Sequence, residues 1–375
     1  MVVSSQEAWN RAQALAESWS KAEGVTLSFA CGSPRRHYAP RHFGPEIQKL
    51  GAALLEGEPA YLVASITKPI VAMAILSLVE GGEILLNDRV TRFLPEFANE
   101  QKHGIEVRHL LTHTSGLPDL PPNNVELRKA HATLNDFVSE ACRAPLSFAP
   151  GRGVQYQSLG YAVLGKIIEK ITSLPQGEFI RKTIFEPLGM HDSALGAGTE
   201  KSFERIERRQ ISVQVPPEQT GGDDWNWNSP WWRTLGAPWG GMVCTPTDIV
   251  SLLRACLTTI DIEHGQAGPG HGFLSRQSLV RSMENQVQML PELGEIERRT
   301  RGWGYGWRLN WRQHTSPLCE LLPETTCGHW GATGTLCWMD PELGAYAVIL
   351  TSQPADKSRR NICRLSNLLA TATLG

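Results

Sequence analysis

No run of this 375-residue chain approaches the roughly 20 apolar residues needed to cross a bilayer; the longest candidate, Ile70 to Val79, is bounded by Pro69 and Glu80. The N-terminus has no basic start followed by an apolar core and a cleavage site, so a secretory leader is not expected and a cytoplasmic location is. Charge of one sign is scarce as well. A formal charge of −2 gives no general attraction to nucleic acid or to anionic membrane, and neither is expected as a partner. The eight cysteines form no Cys-x-x-Cys pair in a chain large enough to build its own core, which reads as buried free thiols rather than disulfides. No Gly-x-Ser-x-Gly elbow is present, which argues against an α/β-hydrolase. There is no phosphate-binding loop, and Gly302-Trp303-Gly304-Tyr305-Gly306 lacks the following helix of a dinucleotide site, so no cofactor is expected. His109 and His113 have the spacing of helical metal ligands, but without the glutamate of His-Glu-x-x-His or an evident third ligand no metal is expected. Internal repeats and low-complexity segments are also missing.

What is present is a series of three short motifs: Ser65-Ile66-Thr67-Lys68, Tyr156-Gln157-Ser158 and His329-Trp330-Gly331. A serine hydroxyl is a weak nucleophile until a nearby base takes its proton, and a lysine three residues along a helix lies on the same face. Ser65 is therefore the candidate nucleophile and Lys68 its partner. Context matters, because Ser18-Trp19-Ser20-Lys21 has the same spacing. That copy lies in an amphipathic N-terminal helix marked by Ala8, Ala12, Leu15 and Trp19, and reads as a solvated face. Ser65 instead follows the strand-like run Tyr61 to Ala64 and opens a helix that is apolar on every side and must be buried. There the helix dipole and unpaired amides favour negative charge on the reacting oxygen. Taken alone, Tyr156 and Ser158 could simply start a helix, with Ser158 as its cap.

With Leu86 to Val90, Phe93-Leu94-Pro95, His109 to Leu117, Pro187 to Met190, Gly240 to Pro246 and His329 to Thr335, the chain resembles the penicillin-recognising serine hydrolases. The most similar branch holds class C β-lactamases, D-alanyl-D-alanine carboxypeptidases and related esterases. The resemblance runs from about residue 60 to about residue 352, and Arg35 to Gly57 reads as an insertion. It implies that Ser65 attacks an acyl carbon, that Lys68 and Tyr156 handle its proton, and that Ser158 positions Lys68 and the substrate. His329 stands where many relatives have lysine. The oxyanion would lie between the backbone amides of Ser65 and Ala332. The base is either Lys68 as a free amine or Tyr156 as a phenolate, stabilised by Lys68 and by a protonated His329.

An α/β (α+β) fold follows. Strands are predicted over Gly24 to Ala30, Tyr305 to Trp311, Gly334 to Met339 and Ala345 to Thr351, with a closing helix from Arg359 to Ala370. Helical patterns dominate between. The resemblance implies an antiparallel sheet flanked by the N- and C-terminal helices with an inserted all-helical lobe. The expected parts are 1–105 and 240–375 for the α/β domain and 106–239 for the lobe with its Trp-rich connection.

Two positions depart from the lactamase pattern: Ser158 replaces asparagine, and Trp330 replaces the small hydroxyl that helps bind a substrate carboxylate. An indole binds a carboxylate poorly and an apolar group well. Five tryptophans between Trp225 and Trp239, Trp232 and Trp239 among them, are candidates for the cleft wall, and Trp330 and Gly331 for substrate contact. The expectation is a carboxylesterase on small esters with weak β-lactamase activity, its partner a small-molecule ester or amide. A β-lactamase, a D-amino-acid peptidase and a catalytically silent binding protein are the rivals.

Overall fold

The computed structural model describes residues 3–99, 101–196, 201–261, 273–311 and 318–375. Along the chain run helix α1 (Ser5–Glu23), strands β1 (Leu27–Ser33), β2 (Arg36–Phe43) and β3 (Tyr61–Leu62), and helices α2 (Thr67–Glu80), α3 (Leu134–Arg143) and α4 (Leu159–Thr172). They are followed by β4 (Ala194–Leu195), β5 (Met242–Cys244), α5 (Pro246–Ile260), β6 (Arg308–Leu309), β7 (Cys327–Gly331), β8 (Thr335–Asp340), β9 (Ala345–Thr351) and α6 (Ala355–Leu374). The main sheet is antiparallel throughout, in the order β2-β1-β9-β8-β7-β6.

Alternation along these strands divides the core in two. Leu27, Phe29, Leu336, Trp338, Ala347 and Ile349 face α1 and α6, whereas Ala30, Cys337, Met339, Val348 and Leu350 join the larger core that contains α2, α4 and α5. Helix α1 starts at Ser4, whose hydroxyl accepts from the Glu7 amide, and stops at Gly24 in the left-handed region at φ 64°. Helix α2 is buried on all sides from Thr67 to Leu76, as its uniformly apolar sequence requires. All eight cysteines are free, seven of them buried. Among the described residues no helix is long and apolar enough to cross a membrane.

Two local expectations need correction, and the segment read as an insertion, Arg35 to Gly57, has structure of its own: it contains β2, an edge strand paired with β1 from Leu27↔Phe43 to Ser33↔Arg36 with a bulge between Phe29 and Cys31. Its sequence hides this. Arg36, Arg41, His37 and Pro40 are the residues with which an exposed edge discourages further pairing, and they blur the apolar alternation that marks a strand. The middle of the chain is not wholly helical, because β4 pairs with β5, which in turn pairs with β3, in a second, three-stranded sheet. The strand expected over Tyr305 to Trp311 shrinks to Arg308–Leu309.

Candidate active site

Short strand β3 delivers the chain to Ser65 through a fixed turn. Val63 donates to the Met242 carbonyl at 3.0 Å, while the Thr333 and Thr335 hydroxyls donate to the Leu62 and Val63 carbonyls at 2.7 and 2.8 Å. Ala64 is held at φ 46°, a conformation that costs an alanine roughly 1 kcal/mol or more. Ser65 then lies in the 3-10 turn Ala64–Ile66 that leads into α2. Strand β7 presses close against this turn. A Cβ on Gly331 would lie 2.4 Å from the Val63 carbonyl oxygen and 3.0 Å from Ala64 Cβ, so only glycine fits. Gly331 thus has a packing duty of its own beneath the nucleophile turn.

Lys68, fully buried, donates from Nζ to Ser65 Oγ at 3.2 Å, Ser158 Oγ at 3.4 Å and the Trp239 carbonyl at 2.9 Å. Burial pulls its pKa down to about 7, opposed by the field of Asp119. Nζ also lies 4.6 Å from the centre of the Tyr156 ring. Burial pushes the Tyr156 pKa up, against the opposing effect of the neighbouring Ser65 hydroxyl. Ser158 occupies the N-cap position of α4 without making a cap hydrogen bond, its hydroxyl turned to Lys68 instead. The capping reading of Ser158 is thereby set aside. The other Ser-x-x-Lys copy is elsewhere: Ser18 is exposed on α1, and Lys21 pairs with Glu17 at 2.6 Å.

The second motif is anchored to the segment His109 to Asp119. Amides of Ser158 and Leu159 donate to the Asp119 carbonyl at 3.0 and 2.9 Å. Gln157 is buried, accepts from Ser115 and donates to the carbonyls of His109 and Leu110 at 3.2 and 3.3 Å. Its amide donates to His113 Nδ1 at 3.1 Å, and the His113 ring centre lies 4.7 Å from that of Tyr156. His113 lies beyond the helix Val107–Leu111, at φ 60°, and His109 Nδ1 accepts from the Glu106 amide in that helix's cap. These are structural duties. The sequence offered the His109/His113 spacing as a metal question, and their supporting role for Tyr156 was not visible in it.

His329 is also buried, its Nδ1 2.7 Å from the Trp330 carbonyl. That bond fixes Nδ1 as the donor and leaves Nε2 unprotonated, with no hydrogen-bond partner among the described residues. Burial, aided by the positive field of Lys68, lowers its pKa to about 3. The protonated His329 invoked to stabilise a Tyr156 phenolate is therefore contradicted: the imidazole is neutral. A lysine near 7 beside a tyrosine that keeps its proton suits Lys68 as base and Tyr156 as proton carrier.

Ser65, Tyr156, Ser158, Trp232, Trp239 and Ala332 line one cavity of about 270 Å³. Trp225, Trp227 and Arg128 share its wall. The sequence singled out the first two only as part of a Trp-rich run, and Arg128 carried no signal at all. Trp330 is not on this wall. It lines a neighbouring cavity of about 610 Å³ that also holds Tyr156, Trp303, Arg301 and Arg308. Tyr156 borders both. Ser65 and Ala332, whose amides are expected to hold the oxyanion, line this same cavity.

Comparison with known proteins finds several similar chains. The beta-lactamase family profile matches residues 55–372. Esterase EstB from Burkholderia gladioli is 32% identical over 327 residues, covering 78% of this chain and 77% of its own. Penicillin-binding protein 4 from Amycolatopsis lactamdurans is 27% identical over 298 residues, 77% of this chain and 71% of its own. Among solved structures, EstCE1, a hydrolase with promiscuous acyltransferase activity, superposes with a TM-score of 0.73 at 19% identity, covering 97% of this chain and 99% of its own.

Proposed function

The chain belongs to the beta-lactamase family and is a serine hydrolase, and on that footing we propose that it is a carboxylesterase acting on small esters through a Ser65 acyl-enzyme. One observation carries the choice of ester over β-lactam or D-peptide. The third motif offers a carboxylate nothing: His329 is neutral, Trp330 presents an indole, and the Thr333 and Thr335 hydroxyls are spent on the Leu62 and Val63 carbonyls. The tryptophan-walled cavity around Ser65 suits an apolar acyl group, and a relative at 32% identity is an esterase.

In this reading the neutral Lys68 amine takes the Ser65 proton as Oγ attacks the ester carbon. The carbonyl oxygen gathers charge between the Ser65 and Ala332 amides. Collapse breaks the bond to the alkoxy oxygen, which takes the Tyr156 proton, and Tyr156 is reprotonated from Lys68. Water, deprotonated by the same amine, then attacks the acyl carbon, the acyl–Oγ bond breaks, and Lys68 returns the proton to Ser65 Oγ. A cytoplasmic location belongs to the same reading and rests on the eight free thiols.

A second reading has its own observation. Arg301 and Arg308 line the cavity beside Trp330 and could receive the carboxylate of a β-lactam or D-peptide. Intact-protein mass spectrometry with optical assay of p-nitrophenyl butyrate and a chromogenic cephalosporin, with Ser65→Ala as control, separates the two. Rapid ester turnover with slow cephalosporin cleavage is expected. Fast cephalosporin turnover overturns the esterase assignment, and absence of adduct and turnover with both moves the chain to a binding role.

A further inference from the structure

The short helix Asn124–Lys129 places Arg128 in the wall of the Ser65 cavity. Only 6% of the residue is exposed. Its guanidinium lies 4.4 Å from the centre of the Trp232 ring and 5.8 Å from that of Trp225. Nη2 donates to Gln219 Oε1 at 3.3 Å and to the Trp225 carbonyl at 3.2 Å. Glu218 acts on it through space, without an ion-pair contact. Burial lowers its pKa only to about 10, so it remains a cation at neutral pH.

Two donors in this stack, Arg128 Nε and Trp232 Nε1, are buried and have no acceptor among the described residues. A buried donor without an acceptor is destabilising. Holding the tryptophan-rich loop in place accounts for Nη2 but leaves both of these unexplained. Every unmet group here is a donor, so an incoming partner must bring acceptors. The charge on the wall narrows the choice further. Asp119 and Glu218, both exposed, line the same cavity, so two carboxylates oppose one guanidinium and disfavour an anionic substrate. Tyr156 borders both cavities; with the departing alcohol directed into the second, the acyl chain would extend toward Arg128.

We propose that Arg128 and Trp232 form a recognition subsite for a neutral oxygen acceptor, a ketone, ester or amide carbonyl, carried on the acyl chain of the substrate away from the scissile bond. This rests on the esterase reading. The test compares three 4-nitrophenyl esters of one chain length: heptanoate, 6-oxoheptanoate and the adipate monoester. The wild-type enzyme should favour the oxo ester over heptanoate by about tenfold in kcat/KM, the range of one hydrogen bond to a charged donor, with the adipate ester no better than heptanoate. Arg128→Met and Trp232→Phe should each bring the oxo-to-heptanoate ratio toward one, and a cooperative thermal melt shows that a variant is folded. If Arg128→Met does not fold, Trp232→Phe decides, and a ratio unchanged in it overturns the proposal. So does a ratio that survives Arg128→Met, a wild-type preference for adipate, or heptanoate turnover with no oxo preference. Failure of the wild-type enzyme on all three esters removes the esterase reading itself, and this inference with it.

Discussion

Lys68 Nζ donates to the Trp239 carbonyl at 2.9 Å, a shorter contact than its 3.2 Å to Ser65, the proposed nucleophile. The residue whose indole walls the substrate cavity thus also fixes the amine that faces Ser65. All the acceptors that hold Nζ are neutral oxygens. The ammonium form loses its water and gains no carboxylate contact in return, which is the physical origin of a pKa near 7.

That shift predicts a stability cost at the active site. A depression of about three units corresponds to about 4 kcal/mol against the protonated form. Lys68→Met should abolish acylation yet stabilise the fold by about 1–3 kcal/mol at pH 7, after deducting the donors lost by Trp239 and Ser158. Between the folded value near 7 and the unfolded value of about 10.4 the unfolded chain binds one more proton, so the native protein gains on the variant as pH rises through that window. Urea melts of both proteins at pH 6.5 and 10 measure this; a gap that widens with pH would falsify the assignment of a depressed lysine.

The same amine sets the pH dependence of the reaction. Only neutral Lys68 can take the Ser65 proton, so kcat/KM for p-nitrophenyl butyrate should climb tenfold per pH unit below an inflection near 7 and level off above it. His329, held down to about 3, does not titrate in this range. His329→Gln should therefore keep the inflection even if it lowers the plateau. Disappearance of the inflection in that variant would reassign it to the imidazole.

Gly331→Ala tests the packing beneath the nucleophile. Its Cβ would meet Thr335 Oγ1 at 2.2 Å and the Val63 carbonyl at 2.4 Å, both parts of the network that fixes the turn before Ser65. Relief requires β7 to move away from Ala64, carrying the Ala332 amide with it. A loss of about 1–3 kcal/mol in stability is expected, with kcat reduced by about 100-fold or more because an oxyanion donor is displaced. Near-wild-type kcat in a folded Gly331→Ala would show that the close approach is not what positions the site.

Ser65, Lys68, Tyr156 and Ser158 were legible because their chemistry depends on residue type and order, and the apolar helix after Ser65 announced its own burial. The β9 boundaries, Ala345 to Thr351, were legible for a similar reason: a run of apolar residues after a turn has few alternatives. Strand β2 was not, since an exposed edge has only a half-buried side, carried by Tyr38 and Phe43, to impose a pattern. The role of His113 was hidden because it depends on a contact across 44 residues with Gln157. Trp330 was correctly singled out as unusual, but only the fold shows that it faces the cavity on the other side of Tyr156 from the one lined by Trp232 and Trp239. Spacing cannot say on which side of a side chain a second residue falls.

Trp330 gives the most direct test of ester against lactam. Its ring centre lies 5.4 Å from that of His329 and 6.5 Å from that of Trp303, and it closes part of the cavity that contains Arg301 and Arg308. Both arginines already donate to backbone carbonyls, Arg301 to Val154 at 2.8 Å and Arg308 to Gly302 at 3.1 Å. Arg308 Nε has no acceptor among the described residues. Trp330→Thr exchanges an apolar plate for a small hydroxyl and widens the path to that guanidinium. Cephalosporin turnover should rise by about tenfold, the scale of one added hydrogen bond to a carboxylate, while p-nitrophenyl butyrate turnover falls through lost apolar contact. The ratio of the two kcat/KM values in wild type and variant is the quantity to measure, since it cancels any general loss of active protein. A ratio that does not move would mean that the indole is not what separates the two substrate classes, and attention would pass to Ser158, the other departure from the lactamase pattern.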